Sequence, residues 1–253
     1  GMGQDGAYVA SDIVALIDAT RDVVVLEDGQ FAKLAPTGIE YTDAEGEIID
    51  PVVTHVDWDV DMAEKGGYPH FMLKEINEQP AAITATVSPR VEDGLPDLRI
   101  PELSDEKLRD IGTIHLVACG TAMHAGMVGK SAIEALARVP AEVDIASEFR
   151  YRDPILNKND LVIIISQSGE TADTLAALRE AKANDVHVLS IVNAVGSSIA
   201  RESDDVLYTM AGPEIAVATT KGYTTQLAVI YLIALKFAQI RQTIRPEVFQ
   251  SLL

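Results

Sequence analysis

Residues 161–165 read Leu-Val-Ile-Ile-Ile and end abruptly in Ser166-Gln167-Ser168-Gly169-Glu170-Thr171. A short, unbroken apolar run rich in β-branched residues and bounded by a turn reads as a strand buried on both faces, as in a parallel sheet covered by helices. A helical pattern follows at 171–183, so the chain passes from a buried strand through a hydroxyl-rich turn into a helix. The first N–H groups of such a helix have no intrahelical partner and its macrodipole is positive there, which makes the turn a ready anion site. Ser166, Gln167, Ser168 and Thr171 add neutral donors. The turn holds no lysine, which suits a sugar monophosphate better than a nucleoside triphosphate, whose loop uses a lysine and a metal-binding hydroxyl. A plain capped turn uses the same residue types, so the stretch by itself leaves both readings open.

The surrounding pattern alternates strand and helix. Strands are expected at 114–118, 141–146, 161–165, 186–192 and 206–210, with helices at 122–137, 171–183, 197–202 and 219–240. This alternation predicts an α/β fold with a doubly wound, parallel five-stranded sheet and right-handed crossovers. Ligands in such sheets lie beyond the carboxyl ends of the strands. Three loops fall at that edge: Gly120-Thr121, the 166–171 turn, and Ala216-Val217-Ala218-Thr219-Thr220-Lys221, with a further turn at Gly196-Ser197. Three unrelated helix caps would look the same, but convergence at one sheet edge favours a site. Gly120 to Gly126 is not a dinucleotide fingerprint, since it lacks the glycine spacing and a ribose-binding acid. Cys119 and His124 could pair as nucleophile and base, but a strand-end cysteine is ordinarily a small buried hydrophobe. Lys221 opens a helix, where a lysine is expected to be solvated.

Upstream, residues 1–57 carry short apolar pieces and turns. A helix is expected at 11–19, a hairpin joining 23–26 to 31–34, and a second joining 39–41 to 47–49. The dense carboxylates there follow no coordination-loop spacing and read as a solvated surface. Between 58 and 87, apolar residues recur at helical intervals, and Pro80 suggests two helices joined near Gln79-Pro80. His70 has no partner at metal spacing. Residues 89–101, with Gly94, Pro96 and Pro101, suggest a surface linker.

A formal net charge of −19 argues against nucleic acid and anionic membrane surfaces as partners, while leaving room for a small anion held by local dipoles. No apolar run is expected to be long enough to span a bilayer. The single cysteine, Cys119, excludes an internal disulfide framework and fits a reducing compartment, so a cytoplasmic protein is expected.

Four motifs together resemble one enzyme family: Val117-Ala118-Cys119-Gly120-Thr121, Ala146-Ser147-Glu148-Phe149-Arg150-Tyr151-Arg152, Ser166 to Thr174, and Glu214-Ile215-Ala216-Val217-Ala218-Thr219-Thr220-Lys221. The family is that of the glutamine–fructose-6-phosphate aminotransferases (isomerizing), or glucosamine-6-phosphate synthases. The segment Lys65-Gly66-Gly67-Tyr68-Pro69-His70, continuing to Gln79-Pro80, is similar to the one between that family's two catalytic halves. The resemblance implies that residues 1–57 are the last part of a glutaminase domain, 58–90 a helical linker, and 91–253 the first sugar isomerase (SIS) domain, flavodoxin-like in fold. It implies that Thr121, Ser166, Gln167, Ser168 and Thr171 hold the phosphate of fructose 6-phosphate or glucosamine 6-phosphate, and that Val217 and Thr219 line the sugar. A homodimer is implied, with neither cofactor nor metal. The family's nucleophilic cysteine and its isomerase acid–base residues have no counterpart in this chain, so no catalytic residue is expected here and the chain alone should bind without turnover. Ala122 stands where a serine is frequent in the family, and Thr219 replaces another serine. A stand-alone SIS module that senses a phosphosugar is the alternative.

Overall fold

The computed structural model describes residues 1–10, 13–17, 19–56 and 65–253. Two compact units make up the chain, Gly1–Phe71 and Met72–Leu253.

In the first unit a single 3-10 turn, Ile13–Ala15, stands within the expected helix, whose Ser11, Asp12 and Asp18 lie outside the described residues. The strands are β1 (Asp22–Val24), β2 (Phe31–Ala35), β3 (Gly38–Thr42) and β4 (Val53–His55). Their pairing corrects the expected hairpins. β1 pairs antiparallel with β4, and β2 pairs with β3 through the turn at Pro36-Thr37. Of the second expected hairpin only a bridge between Thr42 and Ile48 forms. The physical reason is loop length: two residues suffice to bring Ala35 opposite Gly38, which leaves the strand at 22–24 to a distant partner. Leu16, Ile17, Val23 and Val56 form the small core.

The second unit opens with α1 (Phe71–Val87), one continuous helix across Pro80 rather than the expected two. The proline cannot donate to the carbonyl of Ile76, and the Gln79 side-chain amide donates to that oxygen instead at 3.0 Å. Any helix N-terminal to α1 within 57–64 lies outside the described residues. The expected surface linker at 89–101 is also corrected. It forms a short hairpin, β5 (Val91–Glu92) and β6 (Leu95–Pro96), turning at Asp93-Gly94 with φ of 49° and 72°. Leu98, Ile100 and Leu103 are then buried in the core. Buried Arg90 ties the segment down by donating to the carbonyls of Thr86 at 2.5 Å and Tyr208 at 2.6 Å. A short helix, α2 (Asp105–Asp110), follows, with the Ser104 hydroxyl accepting from the Lys107 N–H.

The sheet proper contains β7 (Ile114–Ala118), β8 (Ala141–Ile145), β9 (Leu161–Ser166), β10 (His187–Val192) and β11 (Asp205–Tyr208), all parallel in the order β8-β7-β9-β10-β11. Between them run α3 (Gly120–Ala132, continued by a π turn to Ala137), α4 (Ala146–Phe149), α5 (Ala172–Ala183) and α6 (Ser198–Glu202); α7 (Lys221–Arg241) and α8 (Pro246–Leu252) close the chain. The expected five-stranded, doubly wound α/β sheet is therefore the fold observed. Alternation along β9 explains its composition: Leu161, Ile163 and Ile165 face a core shared with α3 and α7, while Val162 and Ile164 face one shared with α4, α5 and α6. Both faces are covered, so every residue of β9 is buried and must be apolar until the final Ser166.

Contrary to the expectation that no apolar run is long enough, α7 is long and apolar enough, by length and composition, to cross a membrane; 61% of its apolar stretch is buried within the unit, as befits a core helix.

Candidate functional site

The strand order reverses at β7, which has β8 on one side and β9 on the other. Helices leaving β7 and β9 diverge to opposite faces and open a crevice beyond the strand ends. A cavity of about 240 Å³ lies there. From the β7 end it is lined by Cys119, Thr121 and Ala122, and from the β9 end by Ser166, Gln167, Ser168 and Thr171. The loop before α7 adds Glu214, Ala216, Val217 and Thr219. The seven residues expected to hold the phosphate and line the sugar thus all border one cavity, with Ala122 beside them. Val217 stands fully exposed at the rim, at 106% of its reference area. Thr174 and Gln226, both buried, also line it and were missed. Thr174 lies three residues beyond Thr171, and that helical spacing is the signal that could have found it.

The 166–171 loop is shaped by its own bonds. The Gly169 N–H donates to the buried Ser166 hydroxyl at 3.0 Å, and the Glu170 N–H to the Ser168 hydroxyl at 3.3 Å. The Gln167 carbonyl accepts from the N–H groups of Asn193 and Ala194. Gly169 takes φ of 68°, and a Cβ there would lie 2.0 Å from the Ser197 hydroxyl. Glu170 turns away from the cavity and accepts the Ser198 N–H at 2.7 Å, capping α6 rather than its own helix. The Gly196-Ser197 turn therefore supports the loop from behind and stays outside the cavity lining. Ser166 is committed to the turn, whereas the side chains of Gln167, Thr171 and Thr121 make no hydrogen bond among the described residues.

Three helices start at this cavity, and their ends differ. α3 and α5 begin without a side-chain cap, at Cys119 and Thr171. α7 is already capped by a carboxylate: Glu214 accepts the Thr220 N–H at 2.7 Å, the Gly222 N–H at 3.2 Å and the Thr219 hydroxyl at 2.5 Å. The cavity is thus two-ended. Its α3/α5 end offers uncapped N–H groups and hydroxyls to an anion, each helix dipole contributing about 0.3–1 kcal/mol. Its α7 end presents a carboxylate and a hydroxyl, which repel an anion and accept from or donate to neutral hydroxyls. The motif at 146–152 supports the anion end, since Arg150 pairs with Asp173 in the first turn of α5 at 2.8 Å.

One sequence reading is extended and another corrected. Cys119 is half-buried: it packs against the core beneath α4, α5 and α6, and it also lines the cavity; the strand ends at Ala118, as expected, and the chain turns at Gly120 with φ of 57°. His124 lies exposed on α3, outside the lining. Lys221 is not solvated: it is 2% exposed and paired with Glu78 at 2.7 Å. His70 is exposed, and no cluster of metal-binding side chains occurs among the described residues.

A larger cavity, about 640 Å³, lies near the amino ends of the strands beside Arg109, Arg138 and Arg241. There two of the guanidinium groups donate to backbone carbonyls, while Arg241 Nε has no partner among the described residues. Arg138 donates to the Glu134 carbonyl at 3.3 Å and Arg241 to the Ile111 carbonyl. The switch-point cavity, beyond the carboxyl ends of the strands, is the better candidate site.

Comparison with known proteins places these features in a family. A glutamine–fructose-6-phosphate aminotransferase (isomerizing) from Clostridium acetobutylicum is 53% identical over 254 residues, covering 100% of this chain and 42% of that protein. The corresponding enzyme from Clostridium tetani is 54% identical with the same coverage. The chain therefore spans about two fifths of the length of these relatives. Among solved structures, the C-terminal domain of the glucosamine-fructose-6-phosphate aminotransferase from Francisella tularensis superposes with a TM-score of 0.71 at 43% identity, over 74% of this chain and 53% of that one. The SIS domain profile matches residues 107–236, just over half of the chain and all of the sheet, the switch point and the cavity. With its parallel sheet, its hydroxyl-rich loop at the switch point and this match, the chain belongs to the SIS domain family.

Proposed function

We propose that the Met72–Leu253 unit binds a hexose 6-phosphate, with the phosphate at the uncapped ends of α3 and α5 and the sugar against Glu214 and Thr219. The observation that carries this is the two-ended cavity. Thr121, Gln167, Ser168 and Thr171 reach the phosphate, Ser166 holds the loop that presents them, and Val217 and Thr219 border the sugar. An ordinary sugar has no group for the first end, and a dianion without hydroxyls has none for the second.

The chain is read further as part of a glutamine–fructose-6-phosphate aminotransferase (isomerizing), making glucosamine 6-phosphate from fructose 6-phosphate and glutamine. The high identity to enzymes of that name along the whole chain supports this reading. In it, residues 1–57 belong to the glutaminase half, 58–90 to the linker and 91–253 to the first SIS domain. A homodimer in the cytoplasm is part of the same reading, on the strength of the resemblance alone. This chain's role is to bind and orient the sugar. An aldose–ketose interconversion needs a base within hydrogen-bond reach of the moving proton. The carboxylates nearest the cavity, Glu170 and Glu214, are both occupied as helix caps.

Calorimetric titration tests the proposal. Fructose 6-phosphate should bind to the 253-residue chain, inorganic phosphate more weakly and free fructose not measurably. An assay for glucosamine 6-phosphate, with glutamine or ammonium as donor, should read background. Equal affinity for fructose and fructose 6-phosphate would remove the phosphate end from the site.

A further inference from the structure

α1 buries the wrong residues for an amphipathic helix. Met72, Leu73 and Ile76 are about 40% exposed, while Lys74 and Glu75 are buried at 7% and 2%. A buried carboxylate is costly unless it is fully hydrogen-bonded. Glu75 finds its partners 140 residues away. One carboxylate oxygen accepts the Ile215 N–H at 2.6 Å and the Ala216 N–H at 3.2 Å, and the other lies 3.3 Å from the Ala216 nitrogen. One turn along the helix, Glu78 pairs with the buried Lys221 at 2.7 Å and with Lys74 at 3.6 Å. Two sequence motifs that the fold alone does not connect, Lys74 to Gln79 and Glu214 to Lys221, therefore meet through these carboxylates.

The loop that Glu75 grips is the sugar side of the cavity. Ala216, Val217 and Thr219 line it, and Val217 packs on nothing. With no apolar anchor at its tip, the loop is held by its backbone at both ends, by Glu75 at 215–216 and by Glu214 at 219–222. We propose that Glu75 is a positioning residue for the sugar end of this pocket: its carboxylate fixes the backbone of Ile215 and Ala216, and so sets where Ala216, Val217 and Thr219 meet the sugar. This rests on the phosphosugar reading given above. Glu75 touches no ligand itself and has no part in holding the phosphate, which is bound at α3 and α5.

The test is the split between two ligands. In Glu75→Gln one acceptor for the Ile215 N–H survives, while the charge and the second acceptor are lost. Fructose 6-phosphate should bind about tenfold more weakly, the loss of a charge-assisted hydrogen bond, and Glu75→Ala should lose more. Inorganic phosphate, titrated at millimolar concentration, should bind both variants as it binds the parent. A merely structural role would weaken both ligands together, and that result overturns the proposal. Amide hydrogen exchange gives an arm that needs no ligand. The amides of Ile215 and Ala216 should exchange at least tenfold faster in Glu75→Gln while those of β9 keep their protection; unchanged exchange also overturns it. If the parent chain binds no sugar phosphate, the phosphosugar reading fails, and with it the claim on the pocket, whereas exchange still reports whether Glu75 holds the loop.

Discussion

The phosphate-loop glycine offers a sharp test of the packing. Gly169 sits at φ of 68°, with Ser197 directly against the space where a side chain would go. In Gly169→Ala the new methyl carbon would lie 2.0 Å from the Ser197 hydroxyl oxygen and 2.5 Å from its Cβ, and both distances demand movement. Left-handed backbone costs a non-glycine residue about 1–2 kcal/mol. Forcing a methyl into a filled space costs about 1–3 kcal/mol more. The sum is about 2–5 kcal/mol. For a unit of this size each kcal/mol lowers the midpoint by about 2–4 °C, so a fall of about 10 °C is expected in thermal unfolding. The two contributions separate in a double-mutant series. Ser197→Ala removes the hydroxyl but leaves the Cβ contact, so it should relieve Gly169→Ala only in part. Ser197→Gly clears both atoms and should recover all but the backbone cost. Ser197 is buried and its hydroxyl has no hydrogen-bond partner among the described residues, so its removal forfeits no hydrogen bond of its own. Strong coupling between the two positions is therefore expected. A Gly169→Ala chain within about 0.5 kcal/mol of the parent, the ordinary scatter of a neutral change, would refute the reasoning. So would additive effects of the two substitutions.

Three further outcomes follow. Ser168→Asp should abolish fructose 6-phosphate binding in calorimetry, because it sets a carboxylate at the uncapped start of α5, whereas Ser168→Ala should weaken it only several-fold. Cys119→Ala should change stability by under about 1 kcal/mol, and alkylation of Cys119 in the parent should slow when fructose 6-phosphate is added, since the thiol lines the cavity; labelling indifferent to ligand would place the sugar elsewhere. The Arg179 guanidinium, donating to Glu202 at 2.7 and 2.8 Å, holds that carboxyl below its ordinary pKa despite partial burial. A depressed folded pKa stabilises above the unfolded value, near 4.5, and that stability is lost as pH falls through the folded value. Arg179→Met should therefore cost about 0.5 kcal/mol at pH 7 in urea titrations, with the difference vanishing as pH falls through the depressed folded value.

Strands buried on both faces were the most legible part of the chain, because residues such as Val162 and Ile163 have no polar alternative when each face meets a helix layer. The position of the cavity followed from the same sheet logic, since loops after parallel strands must open at one edge. What was misread depended on distant partners. Pro80 signals a break, yet the helix continues, with the Gln79 side chain on the Ile76 carbonyl that Pro80 cannot reach. Residues 89–101 have linker composition, and their burial depends on Arg90 reaching Tyr208. Lys221 looks solvated until α1 delivers Glu78 to it. Periodicity cannot reveal Glu75 as a support of the sugar loop, because a glutamate between Lys74 and Ile76 on a helix reads as a surface residue.

On the phosphosugar reading proposed above, a chain of net charge −19 hosts a phosphate dianion, and the carboxylates beside the cavity bear on that conflict. Ionic screening at physiological salt cuts the reach of exposed carboxylates to about 8 Å, so only the acids beside the cavity matter. Those beside it among the described residues are engaged, Glu75 by the Ile215 and Ala216 N–H groups. Glu170 caps α6, Asp173 is paired with Arg150, and Glu214 accepts from Thr219, Thr220 and Gly222. Asp173 and Glu170 flank the α5 start, yet one is neutralised by a guanidinium and the other is turned toward a different helix. The field at the phosphate end is then set by oriented N–H groups rather than by a side-chain cation. Such groups are directional and short-ranged, so they hold a small dianion while giving little long-range pull to polyanions. A site built this way gains little discrimination from the phosphate, which every sugar monophosphate carries. On the proposed reading, selectivity comes from the other end, where Glu214 and Thr219 would border the sugar on the loop whose Ile215 N–H donates to Glu75.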